Sequence, residues 1–425
     1  MPELDAYLDG LPVGQFRQSA SGTITFHYAA QTATRTPISL SMPRTLPDHR
    51  QRAARPYLAG LLPDNPGALE AIAREYRTSP GSLFGMLTGV GRDVPGALQL
   101  LAPGDDPDDT PHGPPSGDTV DDEAITDLLT TAIDVYRDGR STRDTEFRFS
   151  LPGAQAKIAL TRASDGQWLV PDRRTPTTHI LKPSSSDQPL PDMDIAESIT
   201  LEAARRLELL VASTSTWHAP DGSLSALVVE RYDRRYDQTG SIRRLHQEDL
   251  TQALSVPPEK KYQEQGGPGI GKVGELIRQR ISARDQQAVA LAFFEGFVFN
   301  IATLGTDAHA KNYSLLLDQD RVSLAPLYDL LSAALYYDET KESRSLRPSM
   351  WVDGERSFGR ATPENLTREG VRLGLARDEA QASVQRVLSG AIDALVSAAT
   401  DAGRADMAAA AERNLSRYSP TRFVS

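Results

Sequence analysis

A polar string, Thr306-Asp307-Ala308-His309-Ala310-Lys311-Asn312, precedes two apolar runs at 313–317 and 321–325, separated by Asp318-Gln319-Asp320 and closed by Tyr328-Asp329. The runs read as a β-hairpin. Antiparallel pairing would bring the open ends together, with Asn312 at one and Asp329 just past the other. The segment therefore gathers a carboxylate, an amide five residues later (312 − 307 = 5) and a second carboxylate in one place. Phosphoryl transfer asks for that set: a carboxylate to receive the proton of the attacking hydroxyl, and hard oxygens for a metal ion that carries phosphates. The plain alternative is a solvated polar turn before a hairpin.

The rest of the chain has room for such chemistry. Its 425 residues exceed one small core and suggest two or three domains or one large two-lobed one. Strands and helices up to about residue 230, then mostly helices, give an α+β order with a mainly helical C-terminal lobe. The expected divisions are an N-terminal part at 1–102, an acidic Pro/Gly-rich linker or loop at 103–119, the remainder of an N-lobe at 120–232, and a helical C-lobe at 233–425. Hairpins are expected at 4–8 with 12–16 and at 156–161 with 167–170, and single strands at 24–28, 178–182 (stopped by Pro183) and 225–230. Helices are expected at 56–62, 68–76, 80–87, 121–136 and 195–210, the last with Ile195, Ile199, Ala203, Leu207 and Leu210 near one face. Two more apolar or Ala-rich helical stretches cover 288–304 and 379–413.

Composition removes several function classes. With no cysteine, thiolate chemistry, disulfides and thiolate metal sites are excluded. The seven histidines are scattered and there is no H-E-x-x-H for zinc, nor a G-x-S-x-G elbow. A net charge of −11 argues against bulk binding to nucleic acid or anionic membrane. There is no apolar run of membrane-spanning length and no secretory signal pattern at the start, so a cytoplasmic location is expected.

Other segments acquire meaning only beside the polar string. Pro152-Gly153-Ala154-Gln155-Ala156-Lys157 enters a strand and reads as a phosphate-covering loop or as an ordinary one; it is neither a Walker A nor a G-x-G-x-x-G loop. Lys182 at a strand end, followed by a helix bearing Glu197, has the order of a phosphate-binding lysine and its carboxylate partner, or of a surface ion pair. The run through Glu230-Arg231-Tyr232 is a hinge for adenine or a strand leaving the core. Gly266 to Gly271 is a glycine-rich loop for phosphate or substrate, or a simple connection.

In register, these segments resemble the HipA family of toxin kinases of bacterial type II toxin–antitoxin modules. The resemblance also rests on residues 37–43 (PISLSMP), 61–64 (LLPD), 91–97 (GRDVPGA), 245–249 (LHQED), Lys261-Tyr262 and 324–329 (LAPLYD), and it covers essentially the whole chain. It implies a two-lobed protein-kinase-like fold with an N-terminal family-specific subdomain, using ATP and Mg2+. Asp307 would be the catalytic base, and Asn312 and Asp329 the metal ligands. Residues 152–157, Lys182, Glu230, Arg231, Tyr232, His309, Lys311, Asn312, Tyr328 and Asp329 would surround the nucleotide. Ser150 matches the inhibitory autophosphorylation site. The implied partners are a HipB-like helix-turn-helix antitoxin, operator DNA mainly through that complex, and a protein acceptor, typically an aminoacyl-tRNA synthetase such as glutamyl-tRNA synthetase, whose modification causes growth arrest and persistence. Two positions depart from the family pattern: Pro152 in the nucleotide loop, and Ala308 where glycine is common, tolerable unless φ is positive there.

Two other readings use the same residues. A small-molecule kinase of the aminoglycoside or choline type shares the D-x-x-x-x-N loop. A catalytically silent corepressor would use the chain only to bind an antitoxin.

Overall fold

A computed structural model describes residues 2–107, 114–138, 152–153, 155–184, 192–338 and 346–424. Ala154 and Ser150, and with Ser150 any autophosphorylation site there, lie outside the described residues, as does part of the expected linker, 108–113. The elements run β1 Glu3–Leu8, β2 Leu11–Gln18, β3 Ile24–Tyr28, β4 Asp48–His49, α1 Gln51–Ala59, α2 Pro66–Glu75, α3 Leu83–Val90, β5 Leu98–Leu101, β6 Gly117–Val120, α4 Asp122–Asp138, β7 Ile158–Arg162, β8 Trp168–Pro171, β9 His179–Ser184 and α5 Met193–Arg206. They continue with β10 Thr214–His218, β11 Ser225–Glu230, β12 Arg234–Tyr236, β13 Ile242–Arg244, β14 His246–Asp249, α6 Leu250–Ala253, α7 Ile270–Arg280, α8 Ala283–Ala302, β15 Ser314–Asp318, β16 Arg321–Leu324, α9 Pro363–Leu373, α10 Arg377–Asp401 and α11 Ala405–Tyr418.

Two compact units result. The first comprises Met1–Ser185, Ser213–Glu259 and the hairpin tip Leu316–Asp320; the second comprises Ser186–Ala212, Lys260–Leu315 and Arg321–Ser425. The first unit thus continues past the boundary expected after residue 232, and α5 falls in the second.

Two sheets organise the first unit, in the orders β4-β3-β2-β1-β5 and β10-β11-β9-β7-β8-β6. Strand alternation turns Leu4, Ala6, Leu8, Phe16, Ile24 and Phe26 inward. They join Ile125 and Leu129 of α4, Leu160, Leu181, Trp217 and Val228 in one continuous hydrophobic cluster. The sheet of residues 1–102 and the sheet that follows therefore share a core. Two of the strings that carry the family resemblance are latches in this unit. In residues 37–43, the Ile38 carbonyl lies 2.9 Å from His246 Nε2, and Ser39 Oγ and the Leu40 N–H both donate to Glu248, at 2.5 and 2.7 Å. In residues 91–97, Asp93 and Gly96 meet the segment 231–234.

In the second unit, α8 is apolar nearly all round. Phe293, Phe294, Phe297 and Phe299 are buried, each contributing roughly 1.5–3 kcal/mol by removal from water. Helix α10 packs on α5, α8, α9 and α11. No helix among the described residues is long and apolar enough to cross a membrane.

Several sequence expectations shift. Helix α1 starts at Gln51 instead of residue 56, so Pro56 sits inside it; the lost N–H bond is outweighed by burial of Ala54, Tyr57 and Leu58. Pro183 does not stop β9, which pairs on to Ser184↔Ser225; β7 pairs only with His179–Leu181, so at Pro183 a missing N–H faces no second strand. The expected linker ends in β6, paired with β8. Helix α5 stops at Arg206, Glu208 turns with φ 59°, and Leu210 is exposed while Leu209 is buried. The Ala-rich stretch breaks at Gly403, φ 71°, into α10 and α11.

Candidate active site

The polar string leaves the end of α8. Thr303 closes the helix by donating its hydroxyl to Phe299 O at 2.8 Å, and Leu304 then takes φ 58°. Gly305 follows because a Cβ there would meet Asn300 Oδ1 at 2.5 Å. The Ser349 hydroxyl donates to Thr306 O at 2.6 Å and fixes the start of the loop.

Within the loop, the Asn312 amide nitrogen reaches back and donates to Asp307 O at 2.8 Å, while the His309 N–H donates to the same carbonyl at 2.8 Å. The five-residue spacing is therefore a closed turn, tightened by a 3-10 segment over Ala310–Asn312. Ala308 is not at positive φ, so the missing glycine costs no backbone strain. The side chain of Asp307 is 58% exposed, whereas His309, Lys311 and Asn312 are buried. One oxygen of Asp307 accepts a hydrogen bond from the Tyr262 hydroxyl, and the Tyr262 ring meets the His309 ring edge-on at 4.9 Å. Burial lowers the His309 pKa to about 4 against the pull of Asp307, so the imidazole is neutral near pH 7.

The expected hairpin forms as β15 and β16, turned at Gln319 with φ 59°. At its open end Ala325 N–H donates to Ser314 O at 2.9 Å. The Tyr328 hydroxyl donates to Lys311 O at 2.8 Å and lies 2.7 Å from Ser314 Oγ. This ties residue 328 to residue 311, and so Asp329 to the neighbourhood of Asn312. Leu327 is held between Leu210 O and Ala212 N–H, at 2.9 Å each. Asp329 itself has φ 51°, a left-handed conformation that costs a non-glycine residue energy and that surrounding contacts must impose.

The donor chemistry fits a magnesium ion. With its nitrogen committed to Asp307 O, Asn312 offers its amide oxygen, and Asp329 offers a carboxylate. No group of three or more His, Cys, Asp or Glu side chains suited to a metal occurs among the described residues. Two protein oxygens suit an ion that keeps water and phosphate oxygens as its other ligands.

The remaining candidate residues sit on other elements. Lys157 is buried, and its ammonium donates to Pro152 O at 2.7 Å, folding the loop onto itself; Gly153 has φ 116° there, and a Cβ would meet Lys157 Nζ at 2.6 Å. Gln155 and Ala156 continue this loop into β7. Lys182, buried on β9 opposite Leu227, belongs to the first unit, and Glu197, buried on α5, to the second. Glu230 ends β11 exposed, and the Tyr232 hydroxyl donates to Gln247 Oε1.

Arg231, between Glu230 and Tyr232, is bonded within the fold. Its guanidinium is buried, donating to Asp233, to Thr177 Oγ1 at 2.7 Å and to Val94 O at 3.1 Å, and its own N–H donates to Thr178 O. It is part of an ion network with Asp93, Arg234 and Arg244, and both its side chain and its N–H are spent on the fold. The sequence reading also gave no role to Tyr262. A lone tyrosine 45 residues before the aspartate it touches carries no spacing signal.

Comparison with known proteins gives the family. The family model described as the HipA N-terminal domain matches residues 4–101, and that of the HipA-like C-terminal domain matches residues 149–395. "Putative kinase Y4mE" of Sinorhizobium fredii is 35% identical over 410 residues, 93% of this chain and 94% of its own. The serine/threonine-protein kinase toxin HipA of Shewanella oneidensis is 27% identical over 348 residues, 79% of this chain and 76% of its own. In fold, the chain matches the solved complex of Shewanella oneidensis HipA with HipB and operator DNA, with a TM-score of 0.77, 23% identity and 99% of both chains covered. The α+β architecture, the two matched domains and the full-length relatives agree: this chain belongs to the HipA family, and it is a kinase.

Proposed function

We propose that the chain is an ATP- and Mg2+-dependent serine/threonine kinase toxin that phosphorylates a protein of translation, with an aminoacyl-tRNA synthetase such as glutamyl-tRNA synthetase as the acceptor. The observation that carries this reading is the exposed carboxylate of Asp307, on a closed loop with Asn312, to whose residue 311 the Tyr328 hydroxyl ties the segment bearing Asp329. Asp307 accepts the proton of the acceptor hydroxyl as that oxygen bonds to the γ-phosphorus and the bond to the β–γ bridging oxygen breaks, releasing ADP. A magnesium ion held by Asn312 and Asp329 would offset phosphate charge. Lys182, His309, Lys311, Tyr328 and the loop 152–157 would line the nucleotide, and Glu230 and Tyr232 would present backbone to adenine.

By the same reading, a HipB-like antitoxin restrains the toxin and links it to operator DNA; the Shewanella relative was solved as a complex with HipB and its operator DNA. Phosphate on Ser150 would add about −1.5 to −2 charges beside Arg148 and the nucleotide and weaken ATP binding. Unchanged ATP affinity of Ser150→Asp by calorimetry removes that part of the reading.

The decisive experiment incubates the protein with radiolabelled ATP, Mg2+ and bacterial lysate. A labelled protein band with wild type, absent with Asp307→Gln, is the expected result. Label found only in small molecules favours a small-molecule kinase, and growth arrest undiminished in Asp307→Gln would sink the catalytic reading.

A further inference from the structure

Tyr262 touches the proposed base from outside the loop that carries it. Its hydroxyl donates to Asp307 Oδ1, while His309 Nε2 stands 4.0 Å from the same oxygen, beyond hydrogen-bond reach. The phenol is therefore a neutral donor on one of two equivalent carboxylate oxygens.

The backbone around Tyr262 is built to hold that hydroxyl still. The Tyr262 carbonyl accepts from the N–H groups of Gln265 and Gly267, at 3.0 and 2.9 Å, closing a turn around Gly266 with φ 87°. Only glycine fits at 267, where a Cβ would stand 2.2 Å from Lys260 O. Gln263 then ties the turn to the segment that anchors the catalytic loop. Its N–H donates to Ser349 O at 3.2 Å, its Oε1 accepts from Trp351 N–H at 2.8 Å, and Ser349 in turn holds Thr306 O. Tyr262 and Asp307 thus share one anchor, and the ring of Tyr262 rests edge-on against buried His309.

We propose that Tyr262 is a positioning residue for phosphoryl transfer: its hydroxyl fixes one oxygen of Asp307 and turns the other toward the acceptor hydroxyl. This rests on the reading of Asp307 as the base. A carboxylate free to rotate spends much of its time misaligned, and a fixed partner that stays in place through the reaction removes that loss. The gain belongs to the turnover step and not to ATP binding, so it separates from a structural role in the kinetics.

The test compares wild type, Tyr262→Phe and Asp307→Gln for the initial rate of label transfer from ATP to lysate protein over a range of ATP concentrations, beside thermal melting. Tyr262→Phe keeps the ring on His309 and loses one oxygen. Its maximal rate is expected to fall roughly tenfold, the cost of a hydrogen bond to a charged group, with the KM for ATP and the melting temperature unchanged. A Tyr262→Phe rate equal to wild type overturns the proposal. So does a faster rate, which would mean that the phenol occupies the acceptor's place, or a change confined to KM. Should Tyr262→Phe melt early, Gln263→Ala loosens the same turn and is held to the same kinetic criterion. Wild-type protein that transfers no label, or Asp307→Gln that transfers it fully, removes the underlying reading of the base instead.

Discussion

Asp93 and Asp233 share their surroundings with Arg231, Arg234 and Arg244, whereas Asp307 has a phenol and a neutral imidazole beside it. In the first cluster burial pushes both carboxyl groups up, but the guanidiniums outweigh it and hold them below the usual range. Asp233 also accepts from Gly96 N–H at 2.6 Å, and Thr177 donates to Asp93 at 2.6 Å. All four carboxylate oxygens there are engaged within the fold. Asp307 keeps an exposed side chain with one neutral hydrogen bond. The same residue type is inert when surrounded by permanent cations and available when it is only oriented. The arginine of the Glu230-Arg231-Tyr232 segment went to the first kind of site.

Substitutions in the two clusters should therefore fail in opposite ways. Asp307→Asn is nearly isosteric and removes only the proposed proton acceptor; transfer should drop by about 10²–10⁴-fold with an unchanged melting temperature, read by radiolabel assay and calorimetry. Asp233→Ala strands two buried guanidiniums and the Gly96 N–H. Calorimetry should show a loss of about 3–5 kcal/mol, with activity per folded molecule retained at low temperature. A catalytic loss without destabilisation there would merge the two clusters into one class.

Glu248 sharpens the contrast with a third environment, burial without an ion pair among the described residues. Burial raises its pKa to about 8 against hydrogen bonds from Leu40 N–H and Ser39. Folded Glu248 keeps its proton where the unfolded group, near 4.5, has lost it, so stability falls as pH rises from about 4.5 to 8. Glu248→Gln should flatten that slope and gain a few degrees of melting temperature at pH 8 over wild type. His246 on the same strand is depressed to about 4 by burial and gives the opposite slope, with stability lost as pH falls from 6.5 toward 4. The smallest effect is expected for Ser349→Ala. Losing the bond to Thr306 O should cost about 1 kcal/mol in a melting experiment and slow transfer only slightly.

What the sequence carried was local. The five-residue spacing of Asp307 and Asn312 becomes a closed turn, and the alternating runs after it become β15 and β16, because both depend on near neighbours. Strand alternation likewise placed β1, β2 and β3. What escaped was set by distant partners. Pro56 and Pro183 read as boundaries from their own chemistry, yet packing around Tyr57 and the one-sided pairing of β9 overrode them. The ion network of Arg231 left no local sign, because Asp93 comes 138 residues earlier. Tyr262 and Ser349 act on the loop from 45 and 43 residues away, and no periodicity announces them.

The shared core of the first unit bears on how this kinase can be taken apart. Leu4, Phe16 and Phe26 belong to the same cluster as Leu160, Trp217 and Val228, and the arginines at 231 and 234 depend on Asp93. The family models leave residues 102–148 between them, which invites expression of two separate pieces. Division there would open apolar surface on both halves and strand cations in the later one. Residues 1–102 complete the core beneath the β10-β11-β9-β7-β8-β6 sheet, and a shortened form of this kinase is expected to need them, in the same chain or supplied separately, in order to fold.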